Sequence, residues 1–287
     1  MMMGAAAQAE TRVIMLGTGT PIPTPDRAGS GLAVIHDGEA YIFDVGPGSV
    51  RRMIEAWDNG KIEALYPINI DHIFISHMHS DHTLDFPELA STYWWRRGEK
   101  LHAIGPGGLQ KMSDGYEEMM SVDVNLRLNG KSPIANPERY KVDVTEFTED
   151  GVVFDENGVK VEAFSVPHGD IHPAYGFKIT TPDRTIVYSG DTTYSENVLE
   201  QARGVDVLIH EVISDEGVAA SPPEWQEYHT TTHTTSTKLA EIANEAKPGL
   251  LVLTHVATYS APPDSPLTEI QALYDGKVVL ANDLDEF

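Results

Sequence analysis

Short apolar runs alternate with polar clusters along the chain, and their spacing predicts strands interleaved with helices. Residues 12–16, 32–35, 41–43, 72–75, 161–166, 185–188, 205–209 and 250–253 are rich in Ile, Val, Leu and Phe. Runs this short and this apolar fit strands buried on both faces. Asp37-Gly38, between the second and third runs, has the composition of a tight hairpin turn. Residues 49–57 and 235–246 place apolar side chains at helical spacing instead. The second stretch starts on Thr or Ser and closes before Pro248-Gly249, and residues 193–202 form a shorter candidate helix. This interleaving predicts an α/β layered fold with the polar clusters gathered along one rim. The pattern breaks at residues 110–150. There Met112, Met119 and Met120, with Trp94-Trp95 nearby, point to a helical insertion or lid over the site. Residues 11–287 read as a single domain, and residues 1–10 as a separate leading segment.

Composition narrows the chemistry. The chain has 287 residues and no cysteine, so any metal ion must be held by Asp, Glu and the 12 His. No apolar run reaches the roughly 18–20 residues that a membrane-crossing helix needs, so no membrane partner is expected. The formal charge is −24, from 44 acidic and 20 basic residues. Nucleic-acid binding rests largely on Lys and Arg neutralising phosphates, so this balance predicts no nucleic-acid partner. A salt or solubility adaptation accounts for the same acidity. The start, MMMGAAAQAE, carries the small residues of a cleaved export signal without its apolar stretch. Read as a signal remnant, it places the protein in the periplasm or outside the cell; read as a plain leading segment, it leaves it cytoplasmic.

The strongest constellation is Ser76-His77-Met78-His79-Ser80-Asp81-His82. Residues two apart on extended chain point the same way, so His77 and His79 can share one metal ion. If the chain then turns into a helix, Asp81 and His82 swing toward a second. Two-metal hydrolytic sites hold their ions roughly 3.5–4 Å apart, which demands ligands this crowded. A single His at a strand end is more often structural. Four candidate ligands within six positions are not.

His77-Met78-His79-Ser80-Asp81-His82 resembles the HxHxDH signature of the metallo-β-lactamase superfamily. Pro167-His168-Gly169, Ser189-Gly190-Asp191 and Thr254-His255 follow in the order of that family's remaining motifs. The resemblance implies a four-layered αββα sandwich. It also implies two zinc ions, one held by His77, His79 and His168, the other by Asp81, His82 and His255. Asp191 would bridge them, together with a hydroxide that Asp81 and Asp191 orient for attack. Imidazole and carboxylate ligands suit zinc, and manganese or iron at one position is compatible. Gly17-Thr18-Gly19, His210-Glu211 and His233–Ser236 resemble the ribonuclease Z branch. There a Glu and a downstream His protonate the leaving group, which carries over to Glu211 and His233, with His229 as a competing candidate.

The chain departs from that branch in lacking a basic arm for the tRNA elbow. The expectation is therefore an esterase acting on small anionic phosphodiesters or aryl sulfates. Arg27 is a candidate clamp for a phosphoryl or sulfuryl oxygen. Trp94, in the cluster Trp94-Trp95-Arg96-Arg97, is a candidate surface for an aryl group, and Asp170 and His172 are candidate partners of His168. Tyr194 matches an oxyanion-stabilising tyrosine of related lactonases, which keeps an acyl hydrolase as a rival. A tRNA 3′-processing nuclease and a metal-binding protein without catalysis are the others. A second copy of the chain is a candidate partner.

Overall fold

The computed structural model describes residues 10–134 and 136–287. The leading segment read as a signal remnant lies almost wholly outside them. Strands β1 (Arg12–Gly17), β2 (Gly31–His36) and β3 (Glu39–Phe43) form an antiparallel meander. Asp37 and Gly38 both take positive φ, 49° and 82°, as a tight turn between strands of right-handed twist requires. Helix α1 (Ser49–Gly60) leads to β4 (His72–Phe74), and short helices α2 (Ser80–Thr83) and α3 (Phe86–Ser91) precede β5 (His102–Pro106). Helix α4 (Leu109–Leu128) then leads to β6 (Asp143–Phe147). These six strands make one sheet in chain order, parallel from β3 onward.

The second sheet begins with β7 (Gly151–Glu156), β8 (Val159–Ser165), β9 (Tyr175–Thr180) and β10 (Thr185–Tyr188). Helix α5 (Glu196–Gln201) crosses to β11 (Val207–Ile213). Helices α6 (Asp215–Ala219), α7 (Pro223–Thr232) and α8 (Ser236–Ala246) precede β12 (Leu250–Ala257), and α9 (Ser265–Gln271) precedes β13 (Val278–Leu280). The sheet order is β13-β12-β11-β10-β9-β8-β7.

Three apolar layers explain why the runs are so continuous. Val13, Met15, Tyr41, Phe43 and Phe74 of the first sheet meet Phe177, Ile179, Ile186 and Ile209 of the second. Residues of the opposite parity, such as Ile14, Ile42 and Ile73, pack outward under α1, α3 and α4. Val187, Leu208 and Leu251 pack outward under α5, α8 and α9. Each central strand is thus covered on both faces, and the architecture is the expected four-layered αββα sandwich.

Several details differ from the sequence reading. The helix read over residues 193–202 starts only at Glu196, because the Ser195 hydroxyl caps it by accepting from Val198 N. Helix α7 is not among the helices that the apolar spacing predicts. In the proposed lid segment, Met112 and Met120 pack on the outer core of the first sheet and Met119 faces solvent, so these methionines do not cover the rim. Trp94 is fully buried, in edge contact with Trp95 and Tyr140, and Arg97 is buried with it, donating to the Ile70 and Leu89 carbonyls. The aromatic-basic cluster is therefore mainly structural, and Trp94 cannot receive a substrate.

Candidate metal centre

The centre forms where strands of both sheets run out. After β4 the chain bends at Ser76, and His79, with extended backbone, immediately precedes the short helix α2. His77 Nε2 and His79 Nδ1 come within 3.0 Å of each other, and His168 Nε2 lies 3.3 Å from that same His79 nitrogen. Gly190 (φ 58°) turns the chain out of β10; a Cβ there would sit 2.6 Å from the Tyr175 carbonyl oxygen. That turn delivers Asp191 to the centre, with Oδ2 4.0 Å from His77 Nε2 and 3.9 Å from His168 Nε2. On the other side Asp191 Oδ1 lies 3.3 Å from His82 Nε2, while Oδ2 lies 3.4 Å from His255 Nε2. Asp81 Oδ2 is 3.0 Å from His255 Nε2 and 3.8 Å from His82 Nε2. All seven residues singled out as ligands thus meet, in one group of His77, His79, His168 and Asp191 and another of Asp81, His82 and His255.

The surroundings set the protonation of these rings. Asp44, fully buried, accepts from Ser76 N (2.8 Å), Ser76 Oγ (2.7 Å) and the Tyr188 hydroxyl (2.8 Å), and pairs with His82 Nδ1 at 2.7 Å. The Thr232 carbonyl accepts from His168 Nδ1 at 2.8 Å. His82 and His168 therefore donate outward from Nδ1 and turn Nε2 inward, whereas His79 presents Nδ1 to the cluster. Burial lowers the pKa of His77, His79 and His168, which leaves them neutral at pH 7 with lone pairs free. Burial would do the same to His82, but Asp191 and Asp44 on either side raise it. His82 Nε2 and Asp191 Oδ1 are buried without a hydrogen-bond partner, although they lie close together. Two lone-pair donors aimed at a common point are what a bound cation satisfies, so this donor set fits metal ions.

Asp44 had not been singled out in the sequence, nor had Thr232. The available signal was an acid directly after the apolar run at 41–43, the same pattern that precedes His77 and Asp191. Asp170 and His172 are exposed on the loop after His168 and do not support its ring.

His210 and Glu211 lie inside β11 rather than beyond its end. Glu211 Oε1 accepts from Thr234 N (2.9 Å) and Thr192 N (3.3 Å), and it sits 3.4 Å from His233 Nδ1. A His233 ring nitrogen is also within 4.8 Å of ligand atoms of Asp191 and His255. Burial would lower the His233 pKa, but the Glu211 carboxylate prevails and raises it to about 9. His229 instead pairs its Nδ1 with the Tyr259 hydroxyl at 3.3 Å.

Two expected substrate contacts are otherwise engaged. The Arg27 guanidinium donates to Thr18 Oγ1, the Ala281 carbonyl (2.9 Å) and Asn282 Oδ1 (3.2 Å), which ties the loop after β1 to the C-terminal segment. That network leaves no fork turned toward a phosphoryl group. The Tyr194 hydroxyl donates to Glu196 Oε1 at 3.1 Å, with Lys238 over its ring, so it is not directed at the metal ligands.

A model of the beta-lactamase superfamily domain matches residues 41–256. The chain belongs to this superfamily. Within it, a ribonuclease Z of Mycobacterium sp. (strain KMS) is 30% identical over 87% of this chain and 85% of its own length. That relationship puts the chain in the ribonuclease Z-like branch. Among solved structures, the metallo-β-lactamase fold protein YhfI from Bacillus subtilis superposes with a TM-score of 0.74 at 19% identity, covering 96% of this chain and 98% of its own. The short form of human tRNase Z superposes with a TM-score of 0.68 at 23% identity, with the same coverage. These names overturn the expectation that charge excludes a nucleic-acid partner. Net charge sums over the whole surface, whereas a phosphodiester meets only the groups at its point of contact. Among the described residues no helix is long and apolar enough to cross a membrane.

Proposed function

We propose that this superfamily member is a two-metal phosphodiester hydrolase, with zinc as its cation and His233 as the acid that protonates the leaving oxygen. The observation that carries the reading is His233 itself, held at Glu211 on the border of the ligand cluster. His77, His79 and His168 would hold one cation, Asp81, His82 and His255 the other, and Asp191 would be shared. When bound, such cations supply an activated water and draw off charge from the phosphoryl oxygens.

The chain's own groups do the rest. The Asp81 and Asp191 carboxylates accept from the attacking water and orient it. Two backbone amides fix Glu211, and its charge keeps His233 protonated. With the Glu211 carboxylate 3.4 Å from its Nδ1 favouring the protonated form, His233 is suited to serve as a proton donor beside Asp191 and His255. The ribonuclease names of the relatives support a phosphodiester over a sulfate ester. The placement of the Tyr194 hydroxyl at Glu196 weakens the acyl-hydrolase reading.

The test is metal analysis of zinc-reconstituted protein together with turnover of methyl 4-nitrophenyl phosphate and of an RNA bearing a 3′ extension. Two cations per chain and cleavage of at least one diester are expected. Protein that carries both cations and cleaves neither would overturn the reading.

A further inference from the structure

Beside the ligand cluster, on the His233 side, lies a cleft of about 540 Å³ between the loop after β1, helix α7 and the end of β12. His233 and His255 border it, and among the described residues no Lys, Arg, Asp or Glu lines it. Its walls carry Trp225 (51% exposed), Tyr228 (47%) and Tyr259 (49%), with Ile22 across from them. Large aromatic side chains this open, gathered in one cleft, mark a binding surface more often than chance exposure.

These rings are braced from behind. Trp225 stacks on His229 at 5.7 Å and 26°, and His229 packs on Tyr259 at 4.4 Å and also pairs with its hydroxyl. Tyr259 holds φ at 48°, a left-handed conformation that costs an aromatic residue energy and is kept here by its surroundings. Trp225 and Tyr259 nonetheless stay about half exposed. Beyond His233 at its inner edge the slot is walled by aromatic faces, which suit a planar ring better than a phosphate.

We infer that this cleft is the leaving-group subsite and takes a planar aromatic ring carried by the departing oxygen. The inference rests on the phosphodiesterase reading, since His233 fixes which side the leaving group occupies. In the reaction, water adds to phosphorus and loses one proton to solvent. The bond from phosphorus to the leaving oxygen breaks, and that oxygen takes its proton from His233. The ring itself undergoes no chemistry. A nucleobase and a simple aryl group share the required shape, and the test separates them.

Trp225→Ala, Tyr259→Ala and Trp225→Phe are compared with the parent on three diesters. These are methyl 4-nitrophenyl phosphate, methyl hexafluoroisopropyl phosphate (a good but non-aromatic leaving group) and a dinucleotide whose leaving nucleoside bears a base. The alanine variants should raise KM for a ring-bearing leaving group about 5- to 100-fold more than for the hexafluoroisopropyl ester, the range of one lost stacking contact. Trp225→Phe should recover most of it. A selective loss with the dinucleotide alone identifies a nucleobase as the occupant, and with the nitrophenyl ester alone a simple aryl group. Equal losses on all three diesters, or none, overturn the inference. Only variants whose zinc content and thermal unfolding match the parent are compared, so an equal loss counts against the subsite and not against the fold. Failure of the phosphodiesterase reading itself looks different: the parent would cleave none of the three.

Discussion

Asp44 touches Ser76, His82 and Tyr188 together, and through His82 it fixes one nitrogen that faces the ligand cluster. Asp44→Asn keeps the shape but lets His82 choose the wrong tautomer. Zinc affinity should fall roughly 10- to 100-fold, read by competition with a chelator. His233→Ala makes the complementary case. Its zinc content should match the parent, while its rate on a diester with an alkyl leaving group falls roughly 10²–10⁴-fold. The loss should be much smaller for a nitrophenyl ester, whose leaving group departs without a proton. Equal losses would remove the acid role. Glu211→Gln tests the pair by pH. The carboxylate raises the His233 pKa to about 9, and a donor is active only while protonated, so activity falls as pH rises through that value. Without the carboxylate the pKa drops, and the alkaline limb of the pH–rate profile should move to lower pH. An unmoved limb would assign it to another group. Glu211 and His233 were legible because their motifs follow Asp191 in order. Asp44 was not, because an acid after a buried strand has no motif until its three partner residues are seen.

His255 owes its position to a flaw in a strand. Pairing of β11 with β12 runs regularly to Glu211↔Thr254 and resumes at Val212↔Val256, which leaves His255 as an extra residue with φ 45°. Such a bulge re-aims one side chain without ending the strand. The sequence reading placed His255 beyond the strand, because nothing local distinguishes a bulge from an end. In ordinary strands Gly is roughly 0.5–1 kcal/mol worse than Ala. At position 255 the left-handed backbone should cancel or reverse that ranking, so metal-free His255→Gly should be at least as stable as His255→Ala in urea denaturation. A clear deficit for Gly would mean that the bulge collapses when the imidazole is lost. Helix α7 escaped notice for a different reason. Its buried positions, His229 and Thr232, are polar, so it carries no apolar stripe, and its start is marked only by Pro222-Pro223. That helix nonetheless carries the aromatic wall of the cleft and the carbonyl that holds His168.

For the molecule as a whole, a charge of −24 remains a physical fact with a testable consequence. If RNA is cleaved, raising salt from about 0.01 to about 0.1 M shortens the Debye length from about 30 to about 10 Å and screens the repulsion. KM for RNA should fall over that range, while KM for a small diester changes little. A steep rise in KM for RNA would mean that a local basic surface governs binding instead. The sequence alone determined the layered fold and the residue types of the ligand cluster. Strands buried on both faces must be apolar throughout, and a crowded candidate metal site without cysteine must concentrate His and Asp in short motifs. Tertiary structure decided which side chains are free to act. Arg27, Trp94 and Tyr194 are chemically suited to bind a substrate, yet each is engaged by neighbours distant in sequence or turned to a local partner. The aromatic cleft is the converse. Its walls come from residues near 22, 225 and 259, and only the packing of the two sheets brings them to one side of His233.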